Sequence, residues 1–466
     1  MKRKIFAVLC MVLSLFFVLS CGNDTGTDSS GMPQPGNPGE PPSGGKPGIP
    51  PGGGGFGGGG SSSSIEYKAA VTISEAGEYT GKTYASSATD ECALIITGSN
   101  VSVSDMTVTK SGSSNGGDNC NFYGLNAAVL VKNGANAAIT GGSVTSNANG
   151  ANGIFSYGGN GGKNGAQGDG TTVTVTDTVI TTTGDGSGGI MTTGGGITKA
   201  YNLTIETSGR SSAAIRTDRG GGTVTVEGGT YTTSGLGSPA IYSTADITVT
   251  GADLISNLSE GVCIEGKNSI KLINCNLTAS NTKMNGNATF LDTIMIYQSM
   301  SGDADSGTST FTMTGGKLTS KNGHIFHVTN TNTVITLSDV EIVNENESNI
   351  LLSVCKDGWS GAKNIATLNA KSQELYGTVL VGSDSTLTLN LKEGSAFTGS
   401  IGGSITNAKG ESVSTSVGQV NVSIDESSSW TLTADTDITS FTGDASRIVL
   451  NGHKLTVNGK DLVGTN

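Results

Sequence analysis

The sequence predicts an all-β fold: a parallel β-helix solenoid of about a dozen coils with a C-terminal capping region. Three observations carry this. The chain has 73 glycines in 466 residues, while proline is confined to positions 33–51 apart from Pro239, so the body is built for many tight turns between short strands. An eight-residue pattern, apolar-x-apolar-x-[Asp/Gly/Asn]-x-x-apolar, recurs along it. No stretch has the 3.6-residue periodicity of an amphipathic helix.

The elements follow in chain order. Lys2, Arg3 and Lys4 precede an apolar run from Ile5 to Leu19, which is short for a membrane span and reads as an export signal over residues 1–20. The run ends in "VLSC", which resembles a bacterial lipobox and implies that Cys21 is lipidated. Removing the signal takes away three positive charges, making a formal charge of −12 more negative. Nucleic acid is therefore a poor partner, and contact with a membrane is expected through the N-terminal lipid only. Residues 21–64, rich in Pro, Gly and Ser, cannot bury a core and read as a surface linker.

Residues 65–376 hold the repeat: "VSVSDMTV", "AAITGGSV", "VTVTDTVI", "TKAYNLTI", "VTVEGGTY", "ITVTGADL", "IKLINCNL", "FTMTGGKL" and "ITLSDVEI". In each, two period-2 segments meet at a residue that tolerates left-handed dihedrals. These are Asp105, Gly141, Asp177, Asn202, Gly228, Gly251, Asn274, Gly315 and Asp339. The long intervals, from Asp105 to Gly141, Gly141 to Asp177 and Asn274 to Gly315, mark inserted loops. A further short strand accompanies each unit ("AAVLVK", "NGIFSY", "GGIMTT", "AAIRTD", "PAIYST", "GVCIEG", "DTIMIY", "GHIFHV"), giving about three strands per coil and a rise of roughly 4.8 Å between coils. Residues 377–466 form the last coils and the cap: "LTLNLKEGSAFT" matches "VNVSIDESSSWT".

The tail "SSSWTLTADTDITSFTGDASRIVLNGHKLTVNG" resembles the end of autotransporter adhesin passenger domains. With the coils before it, the chain from 65 to 466 resembles pectin-lyase-like right-handed β-helix surface proteins. That resemblance implies a right-handed helix and a surface role. The lipid at Cys21 would then serve as the anchor of an exported, surface-exposed lipoprotein.

The repeat assigns directions. Ile215 and Thr217 align with inward positions such as Ile241 and Val262, so Arg216 and Asp218 point outward. The same outward columns hold Leu130, Phe155, Met191, Tyr242, Cys263, Met295 and Phe326, then Lys132, Tyr157, Thr193, Thr244, Glu265, Tyr297 and Val328. By this alignment His327 points inward. Phe155, Tyr157, Tyr242, Tyr297 and Phe326 thus line up on one face and bracket Arg216, Asp218 and Glu265. Aromatic rings beside charges suit sugar rings and their carboxylates, and these residues other than Phe326 are the candidate ligand groove. The competing expectation is that loops such as Gly158–Gly170 fold over the rings and bury them.

The expected function is non-catalytic binding of a polysaccharide or a glycosylated host or neighbour surface. The alternative is a polysaccharide lyase, or a weak calcium site, using Arg216, Asp218 and Glu265. The repeated Asp105, Asp177 and Asp339 lie on separate coils and cannot form a close acid–base pair. The only histidines are His324, His327 and His453, with no Gly-His-Gly. Outward threonines (Thr174, Thr176, Thr248, Thr250, Thr312, Thr314) stack, but Lys199, Tyr201, Glu227, Lys271 and Ile273 interrupt them, against an ice-binding ladder. No cofactor or metal is expected, since no CxxC or Cys/His cluster occurs. Beyond Cys10 and Cys21, five cysteines remain. Cys92 and Cys120 flank the first coil and its insertion and are the expected disulfide.

Overall fold

A computed structural model describes residues 65–160, 167–359, 361, 364–462 and 464–465. The signal over 1–20, Cys21, the linker and residues 161–166 of the Gly158–Gly170 loop lie outside the described residues. Within them the chain is a parallel β-helix. One sheet has thirteen strands, from Lys68–Ile73 to Ile401–Gly402, and a second has fourteen, from Gly77–Thr80 to Ser440–Thr442. A third has ten, from Thr83–Ser86 to Glu341–Asn344. Each turn of the chain adds one strand to every sheet, so neighbours in a sheet are one coil apart and parallel.

The alternation of side chains puts every second residue into the core. In the first sheet Ile190, Ile215, Ile241, Val262 and Ile294 stand in direct register and are all buried. Stacking like on like fills the interior evenly, because each side chain meets its own shape one coil away. The turns from the second sheet to the third are the predicted ones. Asp105, Gly141, Asp177, Asn202, Gly228, Gly251, Asn274, Gly315 and Asp339 all have positive φ. There the short polar side chains of Asp and Asn, or the bare glycine, relieve the steric cost of the left-handed region. The turns also bond from coil to coil: Asn202 Nδ2 donates to Asp177 Oδ1 at 2.7 Å.

A polar ladder closes the opposite corner. Ser187 N donates to Ser212 Oγ and Ser212 N to Ser238 Oγ, each at 2.9 Å, so buried backbone donors at this corner are satisfied without water. After residue 344 the third sheet stops, and a four-stranded sheet (Glu374–Tyr376, Ala396–Thr398, Ser429–Thr431, Ile448–Val449) takes its place. The two matched C-terminal segments lie in register, with Leu389 opposite Val422 in the second sheet and Phe397 opposite Trp430 in the four-stranded one. The two rings stack 5.7 Å apart. A small sheet of Thr436–Ile438, Leu455–Val457 and Lys460–Asp461 follows.

The sequence pattern predicts no helix, yet a short one forms over Asp118–Tyr123 inside the first insertion. It ends at Gly124, in the left-handed conformation with φ 74°. A six-residue helix is too short to show periodicity, and its Asn and aromatic residues favour it only once it is packed on the sheet.

Candidate functional site

The outward column of the first sheet is confirmed through seven coils: Leu130, Phe155, Met191, Arg216, Tyr242, Cys263 and Met295 pair in sequence. The next pairing departs from expectation. Met295 lies opposite His327, and Tyr297 opposite Thr329. Phe326 therefore belongs to the inner core and His327 faces outward. A slip of one residue exchanges the two faces, and "GHIFHV" permits either assignment because both faces of this strand are buried.

The face does not form an open groove. Phe155, Arg216, Asp218, Tyr242, Glu265 and Tyr297 are all buried, and only Tyr157 keeps partial exposure. The insertions cover them. Thr193 Oγ1 donates to Phe122 O at 2.7 Å, tying the short helix to the sheet, and Gly124 seats against Leu130 and Phe155, where a Cβ would meet them at 2.7 and 3.1 Å. Outside the solenoid core the face carries separate apolar clusters, one around Phe155 and Met191 and one around Tyr242, Met295, Tyr297 and Trp359. Rings of this size left bare would expose a large apolar patch, and the insertions remove it from water.

Arg216 lies between these two clusters, next to Met191 on one side and Tyr242 on the other. Its Nη2 pairs with Asp218 Oδ2 at 3.0 Å, and its Nη1 donates to Asn121 Oδ1 and Ser211 O at 3.2 Å. Arg219 follows in the turn after this strand: its N–H donates to Asp218 Oδ1 at 2.9 Å. Its guanidinium holds Asp303 at 2.6 Å and lies 4.1 Å from the Phe122 ring. Burial pushes the Asp218 carboxyl up to about 7, with Arg216 pulling the other way. Glu265 accepts from Tyr242 OH at 2.6 Å, Tyr297 OH at 3.2 Å and Ser299 Oγ. Burial raises it as well, and those hydroxyls oppose the shift. The two carboxylates are thus satisfied by separate sets of donors. These charges clamp the loop carrying Ser299 and Asp303, and the helix carrying Asn121, onto the sheet.

A second polar cluster escaped the sequence reading. Ser353 Oγ lies 2.7 Å from both His324 Nδ1 and His327 Nδ1, and His327 Nε2 lies 3.3 Å from Asp357 Oδ2. Thr289 holds Asp357 through its N–H at 2.8 Å and its hydroxyl at 2.6 Å. Burial acts to raise Asp357, but the donors from His327, Thr289 and Gly358 outweigh it and hold the carboxyl below its usual range. The Phe290 ring stacks on His327 at 4.6 Å, and Phe290 packs with Cys355 and Ile405. Ser, His and Asp in a chain suggest nucleophilic catalysis, but here the serine meets Nδ1 and all three are sealed from substrate. Their work is to fasten the insertion over 281–291. The correct register of "GHIFHV" was the signal that would have found them.

Cys92 and Cys120 do not form the expected disulfide. Both are buried free thiols: Cys92 Sγ donates to Gly124 O at 3.5 Å and Cys120 Sγ to Ser114 Oγ at 2.8 Å. Flanking an insertion places two cysteines near it without aligning their Cβ vectors, which a disulfide requires. Among the described residues, no group of three or more His, Cys, Asp or Glu side chains is placed to hold a metal ion.

What reaches solvent on this face is a tyrosine cluster at its N-terminal margin. Tyr67, Tyr123 and Tyr157 are half-buried, as is Lys132. Tyr123 and Tyr157 pack edge to face at 5.7 Å, Tyr67 OH donates to Tyr123 O at 2.9 Å, and Lys132 Nζ lies 3.5 Å over the Tyr67 ring. Comparison with protein-family models, with curated proteins and with solved structures finds no match to this chain.

Proposed function

We propose that the chain is an exported, lipid-anchored cell-surface β-helix that binds carbohydrate, or a glycosylated host or neighbour surface, without catalysis. The observation that carries this reading is the half-exposed cluster of Tyr67, Tyr123 and Tyr157 beside Lys132. Amphipathic rings with one edge in water and a cation alongside suit sugar rings and acidic substituents. The lyase alternative loses its support because Arg216, Asp218 and Glu265 are closed off and engaged with other groups.

A glycan array run with a lyase assay on pectic and host glycans tests the proposal. Binding without turnover is expected. Tyr123→Ala should weaken that binding roughly tenfold, equivalent to about 1.4 kcal/mol, with circular dichroism unchanged. Turnover by the wild-type protein would favour the lyase, and an array blank for wild type would overturn the binding reading.

A further inference from the structure

Lys110 is fully buried and, among the described residues, belongs to no ion pair. It stands in an inward column between Ser86 and Ser146, where small hydroxyl side chains are the rule. A buried ammonium without a carboxylate partner is costly, and burial lowers this amine's affinity for its proton. Its Nζ donates to Ala88 O at 2.7 Å and to Gly112 O.

Gly112 O has a second donor. Asn126 Nδ2 reaches it at 2.9 Å, so the lysine amine and the asparagine amide share one acceptor. Asn126 is itself fully buried, at a positive φ of 78° that asparagine tolerates. Its Oδ1 accepts from Glu91 N–H at 3.2 Å. That donor polarises the amide carbonyl and sits where negative charge would grow if Cγ were attacked. Glu91 also brings a carboxylate to the same pocket, where its Oε1 accepts from Ser86 Oγ at 2.8 Å.

We propose that Lys110 and Asn126 form an intramolecular isopeptide bond. The ammonium passes a proton to the Glu91 carboxylate by way of the Ser86 hydroxyl, which donates to Glu91 Oε1 and stands beside Lys110 in the column, and the freed Nζ turns from Gly112 O to attack Asn126 Cγ. The Cγ–Nδ2 bond breaks, and Nδ2 leaves as ammonia, taking the proton of the attacking amine. Glu91 returns its proton to the departing ammonia, so lysine ammonium and amide become a secondary amide and ammonium ion. No oxidant or cofactor is needed. The burial of Lys110 and Asn126 favours the neutral amine and limits the access of water as a competing nucleophile. The link would tie the Thr107–Lys110 strand to the segment following the helix and fix the first insertion in the coils nearest the N-terminal end.

Denatured full-length protein digested with trypsin tests this directly. An intact link blocks cleavage after Lys110, so Thr83–Lys132 should appear as one peptide, about 17 Da lighter than its sequence. Asn126→Ala should give two peptides split at Lys110, and Glu91→Gln should sharply reduce the linked form. Separate Thr83–Lys110 and Ser111–Lys132 peptides from wild type, or an uncut peptide of full mass, would overturn the proposal. Undiminished linkage in Glu91→Gln would overturn the proton transfer assigned to Glu91.

Discussion

At the scale of single residues, burial changes what Arg216 and Asp218 do. Arg216 and Asp218 point away from the solenoid core, as alternation requires, but lie beneath a loop and a helix. An ion pair in that position gives little net stability, while removing one partner strands the other, at a cost of about 3–5 kcal/mol. Arg216→Ala should therefore lower the denaturation midpoint. Asp218 adds a pH dependence. Its folded carboxyl titrates at about 7 against 3.8 ordinarily, so the folded state binds a proton more readily than the unfolded one between those values. The stability this proton binding contributes is complete below about 3.8 and is lost as pH rises through 7. Urea melts should show stability falling from pH 6 to 8, and Asp218→Asn should flatten that slope. An unchanged slope in the variant would assign the effect elsewhere.

At the scale of the element, the turn between the second and third sheets repeats one conformation with interchangeable residues. Asp, Asn and Gly all occupy it because each tolerates positive φ. The next position is stricter where it is glycine. At Gly142, with φ 73°, a Cβ would fall 2.1 Å from Met106 O on the neighbouring coil. Gly142→Ala should cost more than about 2 kcal/mol, since both backbone strain and overlap with main chain act. Asn202→Gly should stay within about 1 kcal/mol, losing only an exposed side-chain bond and some chain entropy. Thermal melts of the two variants check the contrast, and similar losses in both would mean that turn conformation, not coil-to-coil approach, sets the cost.

At the scale of the whole molecule, a solenoid is stable through contacts between neighbouring coils, and its ends need protection. At the C-terminal end Trp430 packs on Phe397 and pairs with Ile448, with Leu455 beyond in the same core. Deleting residues 432–466 removes that cover and bares the edges of the second and four-stranded sheets. Size-exclusion chromatography should then show aggregation of the shortened protein, whereas a monomer with wild-type melting would show the last coils to be dispensable.

The sequence by itself determined the solenoid. A period-2 pattern broken by Asp, Asn or Gly fixes both the strand faces and the turns, because strand geometry and left-handed tolerance are local properties. It also placed Ile215, Ile241 and Val262 inside, and Arg216 and Tyr242 on the opposite face. It did not determine whether that outer face meets water. Loop insertions have no repeat to read, and whether Arg216, Glu265 and Tyr297 lie open or covered depends on where Asn121, Ser299 and Trp359 come to rest. The pairing of "GHIFHV" was equally beyond the local pattern. Phe326 and His327 are both buried, one in the core and one beneath Phe290, so hydrophobicity alone could not choose the register. Only the tertiary structure, which brings Ser353 and Asp357 to His327 from the next coil and its loop, made that choice.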